Sequence, residues 1–125
     1  MRYTRIYADE TGESHFEDVT VESEERASPV SSGRSVYSEP IRACSVVLRR
    51  VVTPHPDTPH RTPRRQFAVH LRGLAEVEVS SGEVRTFGPG DVVLLEDVDG
   101  VGHVTREAGD AERITMFIEL AEEPS

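Results

Sequence analysis

From residue 41 onward, glycine and proline cut the chain into apolar runs of four to twelve residues, and helical spacing is scarce. The runs are 41–52, 66–72, 74–79, 84–87, 92–95, 103–106 and 113–120. Several alternate in polarity, and most are rich in β-branched residues, so they read as strands. Four prolines (Pro54, Pro56, Pro59 and Pro63) crowd the gap between the first two runs. Proline cannot donate to a ladder, so that stretch is expected to be a loop feeding an edge. Short strands at regular spacing with Gly and Pro turns point to a sandwich or a small antiparallel barrel.

The segment before residue 41 is different. Residues 1–25 hold eight acidic groups against Arg2 and Arg5, and 2–8 and 15–21 alternate only weakly. They are expected as edge strands. Residues 22–35, ESEERASPVSSGRS, are polar and turn-rich and read as a loop or mobile arm. The expected organisation is one domain, with an N-terminal arm over 1–40 and a barrel over 41–121.

Charge narrows the partners. With 23 acidic and 14 basic side chains, the formal net charge of −9 disfavours nucleic acid and anionic membranes, which need a basic footprint. Every basic residue other than histidine is arginine. Without lysine, Schiff-base chemistry and a P-loop are excluded. Cys44 stands alone, so neither an intrachain disulfide nor a cysteine zinc cluster can form, and a reducing compartment is expected. Cys44 itself reads as a buried strand residue. The first twenty residues lack an apolar h-region, and no run has membrane-spanning length. A cytoplasmic protein is expected.

Within 66–72, Gln66, Ala68, His70 and Arg72 share one face and Phe67, Val69 and Leu71 the other. The mixed face is expected inside. From His60 the chain reads HRTPRRQFAVHLRG, and later segments read FGPGD and EDVDGVGH. This stretch resembles the cupin superfamily, and in particular small bacterial single-domain cupins. Their first motif is G-x5-H-x-H-x3/4-E-x6-G. His60 matches its first histidine, Gln66 stands at its glutamate and Gly73 at its last glycine, while Thr62 replaces the second histidine. His103 arrives two residues beyond the histidine of the second motif, and Glu96 stands at its proline.

The resemblance implies an all-β double-stranded β-helix, a jelly roll, that dimerises with itself. It also implies a divalent transition metal (Fe, Zn, Ni or Mn) held by His60, Gln66 and His103. Such a protein would act on a small organic substrate as an oxygenase, isomerase or cyclase. Arg64 has the parity of Thr62 and Gln66, so it is expected to hold an anionic group of the substrate or to pair with Glu96 or Asp97. His70, on the face of Gln66, is expected to move a proton or to be a hydrogen-bonded interior histidine. A His-Gln-His set is uncharged and weak, because Gln66 offers a neutral amide where a carboxylate is usual. The alternative is therefore a metal-free cavity for binding or sensing a small molecule, or a domain whose histidines are satisfied by protein groups. His15 and His55 are expected at the surface, with a place over the barrel mouth as the alternative. Glu96 and Asp97 read as a solvated turn.

Overall fold

A computed structural model describes residues 1–54 and 56–122. All its regular elements are strands: β1 (Arg2–Ala8), β2 (Ser14–Thr20), β3 (Ser23–Ala27), β4 (Arg34–Ser38), β5 (Ala43–Arg50), β6 (Gln66–Arg72), β7 (Leu74–Val79), β8 (Val84–Phe87), β9 (Val92–Leu95), β10 (His103–Ala108) and β11 (Ile114–Leu120). Among the described residues no helix is long and apolar enough to cross a membrane.

Alternation builds two layers. A six-stranded sheet has the order β2-β1-β9-β6-β11-β5, and a three-stranded sheet the order β10-β7-β8. Ile6, Ala68 and Val93 from the first meet Val77, Val79 and Phe87 from the second, with Phe16, Leu95 and Phe117 at the margin. The result is an all-β sandwich, in which strands such as β7 give every second residue to the interior. β5 pairs with β11, β6 with β9 and β7 with β8, all antiparallel. The proline-rich connection contributes one bridge to β10, between His60 and His103. Four prolines keep it from becoming a longer strand.

The mixed face of β6 points inward as far as His70. Gln66, Ala68 and His70 are buried, whereas Arg72 is exposed. A register shift ends the alternation: Thr115 pairs with His70 but Ile114 with Arg72, so Leu71 is an extra residue. Phe67 belongs to a second cluster on the outer face, with Leu94 and Leu120. Cys44 is exposed on β5, not buried as its apolar neighbours suggested, because no described residue covers the outer face there.

The N-terminal segment is more ordered than its sequence implies. β2 is an edge strand, but β1 lies inside the sheet, pairing with β2 and running parallel to β9, and Ile6 is fully buried. Residues 22–35, expected to be a loop, form most of the hairpin β3–β4. Its strands bury no apolar face, so the pattern gave no signal. Local pairs stabilise it: Glu25 with Arg34 at 2.9 Å, and the Arg26 guanidinium 4.8 Å above the Tyr37 ring.

Candidate functional site

Between the two sheets lies a cavity of about 320 Å³, near the lower end for ligand sites. Its walls include Ile6, Ala68, Val77, Phe87, Val93 and Phe117. Polar groups gather in two places, one by the His60–His103 bridge and one along the row where β5, β11 and β6 lie side by side.

At the bridge, the two backbones exchange hydrogen bonds, His60 N to His103 O and His103 N to His60 O, each at 2.9 Å. The approach depends on Gly102. Its φ is +85°, and a Cβ there would sit 2.3 Å from the His60 carbonyl oxygen, which no L-residue tolerates. Buried Ser14 holds the same turn by donating to the Gly102 carbonyl at 2.6 Å. The imidazoles of His60 and His103 end with ring centroids 5.1 Å apart. His103 Nδ1 donates to Asp97 Oδ2 at 2.5 Å, and Asp97 is 0% exposed. In the tautomer with the proton on Nδ1, which this contact favours, Nε2 carries the lone pair. Asp97 is thus a buried orienting group and not part of a solvated turn. Gln66 Nε2 donates to Thr62 Oγ1 at 3.3 Å, and Thr62 Oγ1 donates to the Arg64 carbonyl at 2.8 Å. His60, Thr62, Gln66 and His103 all line the cavity.

Of the second group only His70 was singled out from the sequence; Arg49 and Thr115 were missed. Thr115 on β11 is the cross-strand partner of Arg49 on β5 and of His70 on β6. All three line the cavity, and directly opposed side chains stand about 5 Å apart at Cβ. Arg49 Nε, Thr115 Oγ1 and His70 Nδ1 are buried without a hydrogen-bond partner among the described residues. Arg113, 3% exposed, also lines the cavity, but Glu107 neutralises it through two hydrogen bonds of 2.9 and 3.0 Å. Burial, then repulsion from Arg113, pushes the Arg49 guanidinium down to about 10, against a smaller opposing pull from Glu107. The Arg49 guanidinium also sits 4.6 Å over the Phe117 ring. Burial likewise pushes His70 down to about 4, with Arg113 and Arg49 adding to it and Asp91 opposing. His70 is therefore neutral near pH 7, stacked against Phe87 at 5.8 Å. Only the apolar spacing of β5 was legible in advance; that Arg49 points inward depends on register.

Other candidates lie elsewhere. Arg64 shares the parity of Gln66 but precedes β6, where alternation does not hold. Its exposed guanidinium pairs with Glu119 at 3.0 Å instead of entering the cavity. Glu96 is bound by Arg5 and by Arg65, the latter at 2.6 Å. Burial alone would raise its carboxyl, but the two guanidiniums outweigh that and hold it below the usual range. His15 stays near the surface, with Nε2 2.6 Å from Asp9 Oδ2. Asp9, Glu13 and His15 bring three ligand atoms within 4.8 Å of one another, in a turn outside the cavity. The Thr11 hydroxyl, then His15, hold the Asp9 carboxyl well below the carboxylate range. His55 lies outside the described residues.

No protein-family model matches the chain, and a search of curated proteins found no match.

Proposed function

We propose that this protein is a double-stranded β-helix that takes a small organic molecule into the cavity between its sheets. The fold reading rests on nested pairing. β5 with β11, His60 with β10, β6 with β9 and β7 with β8 form one long antiparallel ribbon. Alternate pairs of that ribbon fall in opposite sheets, as in a rolled-up jelly roll whose second strand has shrunk to the His60 bridge.

The observation that carries the functional reading is the cavity itself, a partly apolar chamber with buried polar atoms that have no hydrogen-bond partner among the described residues. Unmet donors and acceptors in an interior cost free energy unless a guest or water meets them. A fragment screen monitored through the methyl resonances of Val77 and Val93 tests this. Guests should shift those methyls in the parent and lose the effect in Ala68→Leu, which fills the chamber. A parent whose cavity methyls respond to no fragment would rule the reading out.

A second reading is favoured by the Asp97–His103 pair, since a carboxylate on the far nitrogen is how proteins orient a ligating imidazole. His60, His103 and the amide oxygen of Gln66 suit a divalent transition ion with open positions. Such an ion would act as a Lewis acid toward an oxygen of the guest. Elemental mass spectrometry of untagged protein beside His60→Ala and His103→Ala decides between the two. Near-stoichiometric metal lost in both variants favours a metalloprotein; a parent that takes up no added metal leaves the metal-free binder.

The partner that best fits the outer face is a second copy of the chain. Val46 and Leu48 on the edge strand β5 and Leu71 on β6 are exposed beside the Phe67 cluster. The β3–β4 hairpin makes no substantial contact with the other described strands. The hairpin and its flanks carry Glu22, Glu24, Glu25 and Glu39 against Arg26 and Arg34, whereas Arg42, Arg50 and Arg72 lie at the ends of the uncovered strands. An acidic arm and an apolar face rimmed by arginine are complementary between copies.

A further inference from the structure

The row Arg49–Thr115–His70 identifies the kind of molecule the cavity takes. We propose that this row is the seat of a single carboxylate, so that the guest is a small monocarboxylic acid with an apolar body. The inference rests on the cavity reading above and adds the class of guest.

Three observations converge. The first is placement. Three strands set the three residues side by side at one level, and the extra residue at Leu71 follows His70, so the row ends where the regular ladder breaks. Bulges often re-aim side chains beside functional sites. The second is hydrogen bonding. His70 is 5% and Thr115 1% exposed, and Nδ1, Oγ1 and Arg49 Nε all lack partners among the described residues. A carboxylate presents two acceptor oxygens to such a set. Arg49 Nε and the Thr115 hydroxyl donate to it, and the neutral His70 ring donates when its Nδ1 carries the proton.

Charge is the third, and it selects the anion. Of the three arginines that line the cavity, Arg61 is exposed to solvent and Arg113 is matched by the bidentate Glu107. Arg49 hydrogen-bonds to no carboxylate among the described residues; it has the Phe117 ring below it. The single guanidinium of the row calls for one negative charge there. A phosphate dianion would leave an excess charge buried, which is costly. Ile6, Val77, Phe87, Val93 and Phe117 offer the body of the guest hydrocarbon, and the rest of the lining, with His60, Thr62, Gln66, His103 and Glu119, is polar.

The test compares acids with their neutral isosteres on the full chain. Benzoate and hexanoate are titrated beside benzamide and hexanamide, reading the Val77 and Val93 methyl shifts and the melting temperature. The acids should bind about 10- to 100-fold more tightly than the amides, the range for one charge-assisted hydrogen bond. They should also raise the melting temperature. Arg49→Met and Thr115→Val should erase most of that preference. Arg49→Met without guest should melt no lower than the parent, because it removes a half-buried guanidinium whose Nε has no partner among the described residues, and this separates loss of the seat from loss of the fold. Acids and amides binding alike, or a preference that survives Arg49→Met, would overturn the carboxylate seat and leave the cavity reading standing. Acids and amides that both leave the cavity methyls unmoved would overturn the two together.

Discussion

His70 is an interior imidazole whose surroundings decide its charge. Burial, then Arg113 and to a smaller extent Arg49, hold the folded ring near 4, against 6.5 for an unperturbed histidine, with Asp91 pulling the other way more strongly than Arg49 pushes. Between those values the unfolded chain binds a proton that the folded chain refuses. Stability should therefore fall as the pH is lowered through that window, by about 3 kcal/mol at pH 4 from this one group. Urea melts of the parent and of His70→Asn at pH 7 and pH 4 measure it. The parent should lose more than the variant by about that amount, and parallel losses would mean that the ring is not held neutral. Gly102 is the other residue on which the site depends. Gly102→Ala forces a side chain onto a positive φ and against the His60 carbonyl. It should cost about 3 kcal/mol, read as a lowered urea midpoint, and should separate the His60 and His103 resonances from their parent positions.

Among the elements, strand alternation explains more than any single residue. β6 was legible because Phe67, Val69 and Leu71 alternate with Gln66, Ala68 and His70, and both faces found apolar surroundings. β3 and β4 were not legible, because a hairpin that buries nothing leaves no hydrophobic period to read. An isolated two-stranded hairpin is marginal in water. Amide hydrogen exchange should therefore be fast across Ser23–Ala27 and slow across Phe67, Ala68 and Phe117. Protection of the hairpin that appears only at high protein concentration would mark its docking onto a second copy.

For the molecule as a whole, the uncovered outer face sets the association state. Leu48 is 68% exposed on the edge strand β5, and an exposed apolar edge invites pairing. Sedimentation velocity should show a concentration-dependent dimer for the parent and a monomer for Leu48→Glu, with little change in monomer stability because the side chain is already solvated. A parent that stays monomeric at high concentration would leave the face without its proposed partner.

The amino-acid sequence alone determined the strands from residue 41 onward, the glycine and proline turns between them and the inward face of β6. These follow from local chemistry, namely period-two alternation, proline's missing donor and glycine's access to positive φ. The sequence did not reveal that β1 is interior, that Arg64 faces solvent, or that Arg49 and Thr115 stand beside His70. Those are facts of register between strands far apart in the chain: β5 and β11 are brought together over more than sixty residues. Only the tertiary structure decides which residues oppose one another there, because hydrogen-bonded ladders align backbones regardless of the side chains they carry, and a shift of one residue turns every side chain to the opposite face.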